Sequence, residues 1–199
     1  MTSNKLIRFA LLPAYRPIQG IRGFLNNPHR LVYGVVIFLF LGAVYTLSVQ
    51  LAYMQGIGAV VEPFLKIPAA KYYFWQRFWQ IPFFFITSIV FAGTVRLLSA
   101  MINGKGSFED IFALFCIAQT LPMFLTMWLP ETVGFIFFPG KIIMPLWLDI
   151  ARQIAGIIWP LIISIAGITM VEKIKWFYSL LFSLIAAIPI TLLMVIFIR

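Results

Sequence analysis

The residues most able to do chemistry lie in one segment of the chain, 95–110 (VRLLSAMINGKGSFED). It carries the ionisable side chains of Arg96, Lys105, Glu109 and Asp110. Where flanking apolar stretches span a membrane, an ionisable group at that depth is a functional candidate by default. The spacing allows Arg96 to pair across the turn with Asp110 or Glu109. Because Arg96 lies near the end of a span, the favoured prediction is that its long aliphatic stem lets the guanidinium reach lipid headgroups.

The same segment contains a turn, residues 103–106 (NGKG), whose glycines tolerate a positive φ. Ser107 is predicted to cap the following helix, with Asp110 in a capping-box-like position. Glu109 and Asp110 also complement the positive end of that helix. The turn lacks the GxxxxGK[ST] spacing of a phosphate-binding loop and no predicted strand precedes it, so we predict no nucleotide binding.

A second set of charges flanks an apolar stretch further along the chain. Asp149 and Arg152 have i, i+3 spacing before it, and Glu172 and Lys175 repeat that spacing at its other end. Residues so spaced can pair on one helix face. We interpret both pairs as markers of the membrane boundary. Neither is predicted to be a proton relay, because no acid lies in the middle of an apolar stretch.

The residue types that catalysis needs are scarce. The chain has one histidine, His29, and one cysteine, Cys116. Hydrolytic chemistry would need two facing carboxylates, a Ser–His pair or a metal cluster. His29 has no nucleophile at a useful spacing, and one His with one Cys makes a soft metal site improbable. We predict no catalytic, cofactor or metal site and no enzymatic activity.

The elements that position these residues are predicted to be membrane-spanning helices. Of the 199 residues, 62% are hydrophobic and 11% charged, whereas soluble domains average about 45–50% and about 25%. A spanning helix needs roughly 20 apolar residues. Five charge-free stretches approach or exceed this length: 31–61, 78–95, 111–130, 153–171 and 176–198. The predicted fold is an all-α polytopic integral membrane protein with five transmembrane helices.

The distribution of positive charge predicts the orientation of this bundle. The first 30 residues hold five Lys or Arg and no acid. The positive-inside rule therefore predicts a cytoplasmic N-terminus and, with five spans, a C-terminus outside. The net charge of +9 does not predict nucleic-acid binding, because the basic residues are spread singly between apolar blocks and suit lipid phosphates.

Two domains follow from this pattern, a basic N-terminal segment (1–30) and a five-helix transmembrane domain (31–199). Pro17 can begin a short helix that places Ile18, Ile21 and Leu25 on one side, and Pro28 prevents its continuation. We expect this helix to lie in the headgroup region beside the first span.

Prolines inside three predicted spans are expected to kink them: Pro122, Pro160 and Pro189. Such kinks can shape a cavity, although more often they only adjust packing. Polar residues deep in the spans are few, namely Gln50, Gln119 and Thr120.

Two further features favour association with other molecules. Ser179, Ser183 and Ala187 form a small-residue stripe for close helix contact, either within the chain or between copies. An aromatic and cationic segment, 71–79, suits a membrane–water boundary, with a binding surface for a partner or lipid as the alternative.

The order of these features resembles that of the Yip-domain family, five-span proteins first recognised as interactors of Ypt/Rab GTPases. The resemblance is carried by the proline-led basic tail 13–28, Arg96-Leu-Leu, the turn 103–110, Ala118 before Pro122, Trp159, Gly167 and the charged turn 172–176. It implies five helices and a cytoplasmic N-terminus. Eukaryotic members carry a long cytoplasmic region and act in vesicle trafficking, but only about 30 residues precede the first span here. The chain resembles the short prokaryotic branch, which implies the cytoplasmic (inner) membrane and no GTPase partner.

The leading hypothesis is a non-enzymatic membrane protein that associates with lipids, with a membrane-protein partner or with itself in a homo-oligomer. The alternative is a channel or transporter for ions or lipids. A polar cavity that reaches the midplane would favour transport, and a dry bundle with a groove open to lipid would favour association.

Overall fold

The computed structural model describes residues 3–58, 64, 67–138 and 145–197, and these fold almost entirely into helices. The α-helices are α1 (Ser3–Tyr15), α2 (Pro17–Leu25), α3 (Arg30–Met54), α4 (Tyr72–Ala100), α5 (Phe108–Met123), α6 (Leu129–Phe137), α7 (Leu146–Glu172) and α8 (Trp176–Phe197). A 3₁₀ turn at Ala69–Lys71 precedes α4, and a π-helical turn at Phe124–Trp128 joins α5 to α6.

Among the described residues, five helical segments are long and apolar enough to cross a membrane, which confirms the predicted number of spans. They are Arg30–Met54, Ala69–Ala100, Phe108–Phe137, Trp147–Glu172 and Trp176–Phe197. The second begins before the predicted stretch because Arg77 stays in the helix, where its Nη1 donates to Gln50 Oε1 at 2.8 Å. Its guanidinium also lies 4.4 Å from the ring centre of Phe74. The third continues to Phe137 through the π-helical turn.

The helix α5 lies at the centre of the bundle and packs against α3, α4 and α7. Within the best 18-residue window of its span, 67% of residues are buried, whereas the corresponding value for α8 is 22%. An apolar surface that does not face the bundle must face lipid, so α8 and much of α7 form the periphery.

The N-terminal segment forms a helical hairpin that is docked on the bundle. Helix α2 begins at Pro17, as predicted, but α1 before it was not predicted. Gly20 allows the two helices to touch, because a Cβ there would lie 2.4 Å from Pro13 N. Trp159 Nε1, at the middle of α7, donates to Ala14 O at 2.9 Å.

The expected position of α2 beside the first span was therefore wrong, because among the spans α2 packs mainly on α7. Ile21 and Phe24 are fully buried, whereas Ile18 is exposed. The contact with the first span is made instead by Phe9 of α1, whose ring centre lies 5.3 Å from that of Tyr33.

The small-residue stripe of α8 makes contacts within the chain. Ser179 and Ser183 are fully buried. Ser179 Oγ lies 2.8 Å from Thr169 Oγ1 of α7. The stripe thus brings α7 and α8 together, and Ala187 is half-buried at its end.

Candidate functional site

A buried carboxylate organises the end of the bundle where α4, α5 and α7 meet. The Glu172 side chain is fully buried, and its Oε2 accepts from Gly106 N at 2.9 Å and from Arg96 Nη1 at 3.3 Å. Glu172 O accepts from Lys105 N at 3.0 Å. Arg96 Nη1 also donates to Gly104 O at 3.3 Å. We call this set of contacts the Glu172 latch.

The latch requires glycine on both sides of Lys105. A Cβ at Gly104 would lie 2.4 Å from Glu172 Oε2, and one at Gly106 would lie 2.8 Å from Glu172 Cδ. Real side chains do not approach so closely, so the backbone itself encloses the carboxylate. Helix α7 ends at Glu172, and the next residue, Lys173, adopts the left-handed conformation with φ 56°.

Neither reading of Arg96 identified its partner, since its ion pair is with Glu172 and not with Asp110 or Glu109. Asp110 pairs instead with Arg30 at the start of α3. Glu109 is exposed. The pairs differ from the expectation because α3 and α7 bring in a cation and an acid that are distant in sequence.

The predicted cap of the third span is confirmed. Ser107 precedes α5, and its Oγ accepts from Asp110 N at 3.1 Å. The Asp110 carboxylate is turned toward Arg30, so this residue joins the α5 N-terminus to α3.

The second charged cluster lies beside the π-helical turn. Arg152 Nε donates to Asp149 Oδ1 at 2.7 Å, which confirms the predicted i, i+3 pair. Glu131 adds a second carboxylate, 3.4 Å from Arg152 Nη2. Arg152 Nη1 also donates to Thr126 O at 3.1 Å. A π-helical turn leaves carbonyls without their usual partners, and Arg152 satisfies one of them.

The predicted proline positions have different structural contexts. Pro122 lies two residues before the start of the π-helical turn, whereas α7 and α8 stay α-helical through Pro160 and Pro189. Pro82 also lies inside a spanning helix, α4, but it was not predicted to kink one.

A cavity of about 250 Å³ lies at mid-height between α5, α7 and α8. Its walls are mainly apolar, and its rim includes Ile157 and Leu184, which are 65% and 50% exposed. Pro160 and Gly156 line its α7 side. It is therefore a groove that opens between spans toward the surrounding lipid, and we call it the α5–α7–α8 groove.

Three residues of these sites were missed as site residues from the sequence: Arg30, Glu131 and Glu172. Glu172 was interpreted as a boundary marker beside Lys175, but it is buried and Lys175 is exposed. The signal that could have found it is the pair of glycines around Lys105, because such a turn can receive a side chain from another element.

Comparison of the chain with protein-family models, curated proteins and solved structures gives no match. The resemblance to the Yip-domain family thus stays a prediction.

Proposed function

We propose that this protein is a non-enzymatic integral membrane protein that works by association in the bilayer, through lipids or a membrane-protein partner. The observation that carries the proposal is the α5–α7–α8 groove. It has mainly apolar walls, lies between spans and opens sideways. Grooves of this kind accept an acyl chain or a foreign helix through packing of apolar surface.

The arrangement of charges supports the same reading. Arg30, Arg96 and Arg152 each form an ion pair with a carboxylate of another span. Charges held in this way join helices, whereas a conduction path needs polar groups that line a cavity. No charged side chain lines the groove in the part of the chain that the structure describes.

We further propose a cytoplasmic N-terminus, a C-terminus outside and a location in a prokaryotic cytoplasmic membrane. Three exposed lysines support this orientation: Lys105, Lys173 and Lys175. The Glu172 latch places the first two on adjacent loops at one end of the bundle. Positive charge of this kind is enriched on the cytoplasmic side. Membership of the Yip-domain family belongs to the same proposal, on the residues of the sequence resemblance.

Transport of a lipid is the second candidate function. Gln119 lines the groove at mid-height and is half-buried, which gives a polar contact inside the bundle. A few polar side chains among mainly apolar walls do not form a continuous polar path, so association is favoured.

The test is affinity purification in mild detergent with cross-linking and mass spectrometry, on the wild type and two variants. Ala187→Phe places a ring in the groove, whereas Leu181→Phe adds one to an exposed position of α8 outside it. We expect the wild type and Leu181→Phe to retain a partner protein or bound lipid, and Ala187→Phe to lose it. Recovery of the wild-type chain alone, together with ion or lipid flux in vesicles, would contradict the proposal.

A further inference from the structure

Three polar side chains that line the α5–α7–α8 groove have no hydrogen-bond partner among the described residues: Gln119 of α5, Ser164 of α7 and Thr191 of α8. Thr191 is exposed, so the two that the bundle shields are Gln119 and Ser164. Ser164 is 2% exposed. Both lie in segments long and apolar enough to span a membrane. An amide or hydroxyl without a partner in hydrocarbon is costly, so these groups require a partner from outside the chain.

Ser164 differs in this respect from the other buried serine and threonine hydroxyls of the spans, each of which has a hydrogen-bond partner. Thr46, Thr169 and Ser183 each donate to the carbonyl four residues earlier, at 2.9, 2.8 and 2.7 Å. That bond is the usual way for a helix to satisfy a hydroxyl in a membrane. Ser164 lacks it although the carbonyl of Pro160 is at the same spacing, and its side chain faces the groove.

We propose that the groove is a binding site for a neutral lipid, one with an alkyl chain and an uncharged hydroxyl or carbonyl group. The apolar walls suit the chain. Gln119 and Ser164 each donate and accept, which suits a neutral hydrogen-bonding group. A charged headgroup is disfavoured because no Lys, Arg, Asp or Glu among the described residues lines the groove. The inference rests on the proposed function, since it names the partner class of the same groove.

Ser183 provides the matched control. It lines the same groove and is fully buried, but its Oγ donates to Ser179 O at 2.7 Å. Ser183→Ala removes a hydroxyl that is already satisfied, whereas Ser164→Ala and Gln119→Leu remove groups that are not. All three changes leave the groove open.

The experiment is photo-cross-linking of the purified full chain with a diacylglycerol that carries a diazirine on its acyl chain. A hydrocarbon with the same diazirine lacks the polar group, and a phospholipid with the same chain carries a charged one. We expect diacylglycerol to label peptides of α5, α7 and α8 in the wild type and in Ser183→Ala. Gln119→Leu with Ser164→Ala should bind it about tenfold more weakly, because two hydrogen bonds are lost. Hydrocarbon labelling should not change.

Three results would overturn the inference: no labelling of the groove, equal labelling by the phospholipid, or an equal loss of binding in Ser183→Ala. Helix content and elution volume of each variant establish that it is folded. If the wild type retains a protein partner that Ala187→Phe loses but binds no diacylglycerol, this inference fails and the proposed function stands. If it retains neither partner nor lipid, both fail.

Discussion

At the scale of single residues, the carboxylate of Glu172 connects α7 to α4 and to the turn before α5 at one end of the bundle. It is fully buried and accepts from Gly106 N and Arg96 Nη1, while its Oε1 has no partner within the described residues. Removal of the charge would leave Arg96 without its ion pair at 3.3 Å. Because this buried charge has few partners, we expect position 172 to be sensitive to substitution.

We expect Glu172→Gln to lower the free energy of unfolding by about 1–3 kcal/mol, because a charge-assisted hydrogen bond is weakened at a buried site. Glu109→Gln is the control, since Glu109 is exposed at the same end of the bundle. Its effect should stay within about 0.5 kcal/mol. Thermal unfolding in detergent measures both, and equal effects would contradict the role of the latch.

The partners of the charged residues can be tested by double-mutant cycles. Arg96→Ala should couple with Glu172→Gln by roughly 0.5–3 kcal/mol, because their side chains are in contact. Arg96→Ala and Asp110→Asn should add to within about 0.5 kcal/mol, because Asp110 pairs with Arg30. Coupling of Arg96 with Asp110 in place of Glu172 would show that the pairing is the one that the sequence spacing allows.

At the scale of elements, the spans were predictable from the sequence and their partners were not. Charge-free stretches of about 20 residues identify spanning helices, because the residues of such a helix must be apolar enough to lie in hydrocarbon. The stretch that ends at Pro130 could not reveal that the helix continues past Glu131, since Arg152 of another span satisfies that acid. Helix α1 was not predicted because Arg8 and Pro13 interrupt its apolar pattern. The contacts that hold it are made with α5 and α7, which are distant in sequence.

In the candidate site, too, the local contacts could be predicted from the sequence and the distant ones could not. The Asp149–Arg152 pair and the Ser107 cap depend on neighbours three residues apart, so spacing predicts them. The partner of Arg96 lies 76 residues away, and local spacing carries no information about it. Gln119 was noticed as a deep polar residue, but that it shares a groove with Ser164 depends on how α5 packs on α7.

The docking of the N-terminal hairpin depends on close contact at Gly20. We expect Gly20→Ala to separate α1 from α2, because its Cβ would meet Pro13 N at 2.4 Å. Gly23→Ala is the control in the same helix, since no atom lies within 4 Å of a Cβ there. Limited proteolysis should cleave residues 3–25 faster in Gly20→Ala only, and similar rates in the two variants would contradict the docking.

At the scale of the whole molecule, the proposed orientation in the membrane rests on where the exposed positive charge lies. Lys105 is exposed at the end of the bundle that carries the latch, and Trp147 is 69% exposed at the start of α7. These positions lie at opposite ends of the bundle, because α7 runs its full length between Trp147 and Glu172. Each can report one side of the membrane.

Cysteine labelling tests this orientation. Cys116 is buried, so Cys116→Ala gives a background in which Lys105→Cys and Trp147→Cys are introduced singly. An impermeant maleimide applied to intact cells without an outer membrane should label Trp147→Cys at once. It should label Lys105→Cys only after permeabilisation, because the positive-inside rule places that loop in the cytoplasm. The opposite pattern would reverse the proposed topology.

The proposed function of the chain is association in the bilayer. The most direct measurement is native mass spectrometry of the protein extracted from its own membrane in polymer-bounded lipid particles, without detergent. We expect ions of the chain that carry a stoichiometric lipid or partner protein, with the bound species reduced in Ala187→Phe and kept in Leu181→Phe. Bare single chains in both the wild type and the variants would contradict the account.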